Sequence, residues 1–225
     1  ADVVLTKIAR WDPDKRWLGT IEATAHLKAQ GLKPALLARG GMECYGGEVL
    51  QRAHCLGLSV RDVHSRGNTI KDYLEAIITC EPADVLNIRF YCPTEVLQIL
   101  YRASDAVLAN SAHEPFGIVG LESMAAGGIT FTGGTGEDYA IHFHNSIVLE
   151  TPDPKEIEAY LHYMETHRED KERIRTEGML TAERFTWEQV IKNLVEKLEY
   201  QGRIQGLLGT SAYGMARLTH TDYPQ

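Results

Sequence analysis

Residues 105–128 read DAVLANSAHEPFGIVGLESMAAGG. The stretch opens with an apolar run, passes through a polar turn and becomes a helical pattern that starts near Gly117 and stops at Gly127-Gly128. Strand, turn and helix recur in that order along the chain. Short apolar runs at 3–9, 35–39, 58–63, 85–90, 105–110, 128–132 and 146–149 read as strands. Amphipathic stretches near 15–30, 45–56, 69–80, 93–103, 117–127 and 154–167 lie between them. Strands separated by helix-length segments need crossover connections, which are right-handed. The expected fold is therefore α/β, a mostly parallel sheet with helices on both faces.

Beyond residue 153 the strand pattern stops. Residues 154–200 read as two or three helices rich in Glu, Lys and Arg, and residues 202–225 as a Gly-, Ser- and Thr-rich tail. A chain of 225 residues with 44% hydrophobic and 24% charged residues is ordinary globular protein, which excludes disorder, collagen and coiled coil. Its 23 Lys and Arg against 31 Asp and Glu leave a net charge of -8, so neither nucleic acid nor an anionic membrane is expected as a partner. No apolar run approaches the ~18 residues of a transmembrane helix. Cys44, Cys55, Cys80 and Cys92 show no C-x-x-C spacing. Reduced thiols in a cytoplasmic protein are the expectation, without a disulfide framework or a zinc site. The first residues, ADVVL, enter a strand at once, as though the chain were cut from a longer one.

An open parallel sheet binds ligands beyond the carboxyl ends of its strands. Special residues gather there: Arg10–Lys15 after the first strand, Gly40-Gly41 after the second, His113–Gly117 after the fifth and Gly133-Gly134 after the sixth. Arg10 and Lys15 could converge on a diphosphate, Arg as a bidentate fork and Lys as a point charge. An exposed turn capped by Asp14 accounts for the same residues. Glu114 and Glu122 stand eight apart, but so do Glu150 and Glu158, Glu169 and Glu177, and Glu188 and Glu196, so spacing alone carries nothing. Pro115-Phe116-Gly117 sets the first pair apart, because Gly lets a ligand approach the backbone and a helix start offers N–H groups to an anion. A charge that steadies the helix stays open for Glu114, and a solvated face for Glu122. If buried beside Leu121 and Met124, Glu122 would need a polar partner, and a sugar hydroxyl is one. His142-Phe143-His144 has a metal-like spacing without a third ligand nearby. His113 either lines a pocket or is an ordinary loop histidine, and Trp11 reads as a hydrophobic lid over the first helix start.

Taken together and in this order, these residues resemble the donor-binding domain of retaining GT-B glycosyltransferases of family 4, also called group 1. The resemblance covers residues 3–200 and includes Gly133-Gly134, Glu137 and a last helix at Trp187. It implies a Rossmann-like nucleotide-sugar-binding domain over residues 1–200, one half of a GT-B fold. Residues 201–225 would be a tail that is disordered or docks on the missing N-terminal domain. The implied activity moves a sugar from a nucleoside diphosphate to an acceptor hydroxyl, with retention and without a protein nucleophile. In that scheme Arg10 and Lys15 neutralise the diphosphate, and Gly40, Gly41 and His113 line the donor site. Backbone N–H groups of Phe116, Gly117, Ile118 and Val119 hold phosphate and sugar. Glu122 binds the ribose. Glu114 binds the transferred sugar and acts in catalysis by position and charge. Neither cofactor nor metal is implied, since two cations and a helix start already serve the phosphates. Acceptor-binding residues, a histidine among them, belong to the other domain, so this chain alone is expected to transfer no sugar.

Two positions depart from the family pattern: Arg16 stands where many members have Gly, and Gly128 where many have Pro. A dinucleotide-dependent oxidoreductase needs G-x-G-x-x-G in the first loop, which here has no glycine, and a P-loop needs a Gly-Lys pair, which the chain lacks. A sugar-nucleotide epimerase and a non-catalytic nucleotide-sugar-binding module remain as alternatives.

Overall fold

The structure, a computed structural model, describes residues 1–134 and 138–208. By its contacts the chain divides into two units, residues 1–184 and 185–225. The first unit is built on a seven-stranded sheet in the order β3-β4-β2-β1-β5-β6-β7. The strands are β1 (Val3–Ile8), β2 (Pro34–Arg39), β3 (Val60–Val63), β4 (Val85–Ile88), β5 (Ala106–Ala109), β6 (Thr130–Thr132) and β7 (Ile147–Val148), and every pairing is parallel. Around them lie α1 (Trp17–Ala29), α2 (Tyr45–Cys55), α3 (Ile70–Ile78), α4 (Thr94–Ala103), α5 (Ile118–Ala125), α6 (Pro154–Thr166) and α7 (Arg168–Ala182). Each strand, and each of the first six helices, starts and stops within two residues of its sequence expectation.

Period-two alternation along the strands divides the core between the two faces. Leu36 and Ala38 of β2 join Ile21 of α1, Val49 of α2 and Leu161 of α6 on one side. Leu37, between them, points the other way and packs with Val96 and Leu100 of α4, with Tyr73 and Ile77 of α3 against that cluster. All four residues of β4 are buried, as a strand covered on both faces requires. A smaller cluster joins Leu121 and Met124 of α5 to Tyr139, with Ala182 of α7 packed against it. This is a Rossmann-like arrangement with helices on both faces of the sheet.

The strand order sets where loops meet. β1 pairs with β2 on one side (Ile8 opposite Arg39) and with β5 on the other (Leu5 opposite Ala106, Thr6 opposite Val107). β2, β3 and β4 all lie on one side of β1, and the chain then crosses to the other side with β5, which opens a crevice at the carboxyl ends of β1 and β5. The loops leaving these two strands therefore face each other although about a hundred residues separate them.

In the second unit Thr186 caps α8 (Trp187–Ile204), its side chain accepting from Gln189 N–H at 3.3 Å. Trp187, Val190, Ile191, Leu194 and Leu198 recur along it at helical spacing. The domain boundary expected after residue 200 falls inside this helix, and residues 209–225, most of the expected tail, lie outside the described residues. No described helix is long and apolar enough to cross a membrane.

Candidate functional site

The loop after β1 is built from the bottom by two tryptophans. Trp11 is 4% exposed and rests on Trp17, the first residue of α1, with ring centroids 4.1 Å apart. Trp17 Nε1 donates to the Arg10 carbonyl at 2.7 Å, and Trp11 N–H donates to Glu43 Oε2 at 3.0 Å. Over that floor Pro13–Lys15 make a single 3-10 turn. Its cap is Asp12, whose carboxylate accepts from Asp14 N–H at 2.9 Å; the expectation that Asp14 would cap is corrected, because Pro13 starts the turn and the cap must precede it. Arg16 then turns the chain into α1 in the left-handed conformation, φ 50° and ψ 39°. That region costs a residue with a Cβ about 1–2 kcal/mol. The departure from Gly at this position is thus accommodated as backbone strain.

The loop after β5 ends at Gly117, φ 82° and ψ 57°, which precedes α5. Tyr139 fixes it: the hydroxyl donates to the Gly117 carbonyl and the ring meets Phe116 edge-on, centroids 5.8 Å apart. Gly120 makes room for this clamp, since a Cβ there would lie 2.3 Å from the Tyr139 hydroxyl.

Between the two loops Lys15 Nζ lies 2.6 Å from Glu114 Oε2, both side chains about four-fifths buried. Ser111 Oγ donates to the same oxygen at 3.2 Å. Burial alone would push the Glu114 carboxyl up, but the hydrogen bond and charge of Lys15, the Ser111 hydroxyl and the Gly117 N–H outweigh it and hold the carboxyl below the ordinary glutamate range. A pocket of about 190 Å³ opens here, lined by Arg10, Lys15, Ser111, Glu114, Gly117 and Val119 among others. Beneath it Lys7, 1% exposed, donates to the Leu108 carbonyl at 3.0 Å and to Asn110 Oδ1 at 2.9 Å. A lysine inside the apolar run VVLTKI was the available sequence signal for this buried cation, and it went unread.

Other expected residues sit apart. Gly40 and Gly41 line a neighbouring pocket of about 220 Å³ with Trp11, Arg39, Arg89 and Tyr91. A Cβ on Gly40 would fall 1.9 Å from the Trp11 ring, so this glycine is required by the tryptophan's packing. Gly133 runs against the loop after β5, where a Cβ would lie 2.4 Å from the Ser111 carbonyl. His113 is exposed and does not line the Lys15–Glu114 pocket. Phe116 and Ile118 are 43% and 63% exposed. Glu137 lies outside the described residues. Glu122, one turn into α5, is exposed and does not line the Lys15–Glu114 pocket, so the solvated face expected as its alternative is what the structure shows. Partial desolvation pushes its carboxyl up, and the nearby Tyr101 phenol draws it part of the way back. Among the described residues no group of three or more His, Cys, Asp or Glu is arranged to hold a metal ion.

Solved structures share the fold at low identity. HepE of Anabaena, crystallised with UDP-glucose, superposes with TM-score 0.66 at 20% identity over 88% of this chain and 49% of its own. Sucrose-phosphate synthase from Thermosynechococcus elongatus gives 0.63 at 18% identity, over 91% of this chain and 46% of its own. The C-terminal domain of the group 1 glycosyl transferase LpcC from Francisella tularensis gives 0.58 at 18%, over 81% and 85%. The chain spans about half the length of the first two. None of the curated proteins matches its sequence. A sequence model described as glycosyl transferases group 1 matches residues 2–180, and the chain belongs to that family.

Proposed function

We propose that this chain is the donor-binding half of a retaining GT-B glycosyltransferase, which moves a sugar from a nucleoside diphosphate to an acceptor hydroxyl. The observation that carries the reading is the meeting of Arg10, Lys15, Glu114 and the uncapped start of α5 around one pocket at the switch point of the sheet. HepE binds UDP-glucose with this fold, which supports a nucleotide sugar as ligand.

On this reading the donor diphosphate takes Lys15 away from Glu114. Arg10 and the N–H groups at the start of α5 complete the anion site, and they stabilise the charge that develops on the departing diphosphate without reorganising. Freed of Lys15, Glu114 accepts from sugar hydroxyls and its charge favours an oxocarbenium-like transition state on the sugar. Glu122 takes the ribose. No protein nucleophile is invoked, and the phosphate charge is met by cations and N–H groups without a metal. The acceptor side, and a second domain to carry it, lie outside this chain, so pure chain transfers no sugar. A cytoplasmic setting fits the four cysteines, none of which is paired.

Calorimetric titration with UDP, GDP and ADP tests the site. Saturable binding of at least one is expected, with Arg10→Ala and Lys15→Ala each weakening it about tenfold, the scale of one charge-assisted bond. No saturable binding of any diphosphate at millimolar concentration refutes the reading. Conversion of a sugar nucleotide without an acceptor would instead mark an epimerase.

A further inference from the structure

β1 keeps one neighbour along its whole length and loses the other partway. It pairs with β2 from Val3 to Ile8, but with β5 only at Leu5 and Thr6. Past Thr6 no ladder pair joins β1 to β5 among the described residues, and there the crevice opens. A side chain bridges the gap. Lys7, buried in β1, donates from Nζ to the Leu108 carbonyl of β5 at 3.0 Å and to Asn110 Oδ1, just past that strand, at 2.9 Å. The same Nζ stands 5.6 Å from the centre of the Trp17 ring at the root of α1. Trp17 in turn holds the Arg10 carbonyl. One amino group therefore reaches the footing of both loops that form the pocket.

A lysine in such a place is costly, because burial strips its head group of water, and an aliphatic side chain would fill a strand interior without that cost. The preceding residue supplies the contrast. Thr6 Oγ1 and Ser104 Oγ share a buried hydrogen bond of 2.6 Å at the closed end of the same strand pair. Two short hydroxyls meet where the ladder still holds the strands together, and the long lysine stands where the ladder has ended.

We infer that Lys7 is a positioning residue of the diphosphate site: a strut that fixes the spacing of the loops after β1 and β5, so that Arg10, Lys15 and the start of α5 converge on one anion. The inference rests on the function proposed above. Two contacts join these loops directly, the Ala112 N–H to the Asp14 carbonyl at 2.6 Å and Lys15 to Glu114 at 2.6 Å. On the proposed function the diphosphate takes Lys15 from Glu114 and so removes the second. The strut beneath does not involve the ligand, and it holds the crevice at one width while Lys15 exchanges partners. Its grip enters the moving loop without slack, because Asn110 is followed at once by Ser111, whose hydroxyl donates to Glu114.

The test uses the full chain, the tightest-binding of UDP, GDP and ADP, and inorganic pyrophosphate. Lys7→Met keeps the bulk of the side chain and removes both hydrogen bonds; Asn110→Ala breaks the strut from the other side and leaves the amino group in place. Each is expected to weaken the nucleotide and pyrophosphate alike, about three- to tenfold, the scale of one hydrogen bond. The two changes together should be no weaker than Lys7→Met alone. Thr6→Val, which removes a buried hydrogen bond between the same strands, should lower the urea midpoint and leave both affinities unchanged. Affinity lost in Lys7→Met but kept in Asn110→Ala would show that Lys7 acts by its charge and overturn the inference. Equal affinity losses in Lys7→Met and Thr6→Val would show a merely structural lysine and overturn it too. If Lys7→Met does not fold, Asn110→Ala decides, and an unchanged affinity there refutes the strut. Weaker binding in Arg10→Ala and Lys15→Ala with no change in Lys7→Met sinks the strut alone. No binding of any diphosphate to wild type sinks the proposed site and the inference with it.

Discussion

α3 and α6 follow the two edge strands, β3 and β7, and each starts under a side chain. Thr69 and Asp72 form a reciprocal capping box ahead of α3, and Asp153 accepts from Lys155 N–H at 3.0 Å ahead of α6. The helices after four of the five inner strands, α1, α2, α4 and α5, start with no side-chain cap among the described residues. A cap contributes about 0.5–2 kcal/mol, so its absence on four neighbouring helices is a stability cost concentrated in the middle of the sheet. On the proposed function, that is where N–H groups stay available to an anion. The two helices that flank the Lys15–Glu114 pocket go further, since both are entered through a left-handed residue, Arg16 and Gly117. On that reading the margins of the sheet are capped for stability and its centre is left open for a ligand.

The centre must then be held by packing, and Trp11 is the main piece. Gly40 and Gly46 both leave space for its ring, and it packs against Trp17 at the root of α1, the two ring planes tilted by 43°. Trp11→Ala should cost about 3–5 kcal/mol of unfolding free energy in urea, against about 1 kcal/mol for the margin cap change Asp153→Ala. Similar losses for the two would erase the contrast between centre and margin.

A second test separates binding from stability within the centre itself. Glu114→Gln removes the charge that occupies Lys15, so the free diphosphate should bind about three- to tenfold more tightly while the complete sugar nucleotide gains less or loses. The same change should lower stability in a pH-dependent way. The folded-state carboxyl is held below its ordinary value. Its stabilising contribution is therefore full above the unfolded glutamate range and is lost as pH falls through the lowered value. Wild type and Glu114→Gln should differ at neutral pH and converge in acid. A difference that grows on acidification would mean that the Lys15–Glu114 pair does not stabilise the fold.

Much of this was legible in the residues and some was not, for a physical reason. The strand at 85–88 and the helix at 118–125 declare themselves by apolar runs and local punctuation, which are properties of neighbours in sequence. Arg10, Lys15, Glu114 and Gly117 were found the same way, each at the end of a strand or the start of a helix, whereas Val119 came only with the family resemblance; the structure gathers all five on one pocket. The pairing of Lys15 with Glu114 was not legible, because it exists only through the adjacency of β1 and β5. Nor was the use of Gly40, whose missing Cβ answers to a tryptophan 29 residues earlier.

Arg16 gives the smallest expected effect and the sharpest one for the centre of the sheet. Its left-handed backbone costs about 1–2 kcal/mol, which Gly would not pay, while Gly frees the unfolded chain by about 0.5–1 kcal/mol. Arg16→Gly should therefore stabilise by at most about 1.5 kcal/mol. Arg16→Ala keeps a Cβ and the strain, so it should bring no such gain. The pair of variants separates backbone from charge, since both remove the guanidinium and only one relieves φ. If the strain is merely a tolerated departure, Arg16→Gly will be more stable and bind the diphosphate as Arg16→Ala does. If the strained residue is what aims the start of α1 at the ligand, Arg16→Gly will gain stability and lose affinity that Arg16→Ala keeps, because a glycine leaves that turn free to open. Unfolding and titration of these two proteins decide whether the left-handed entry to α1 serves the same purpose as the one at Gly117.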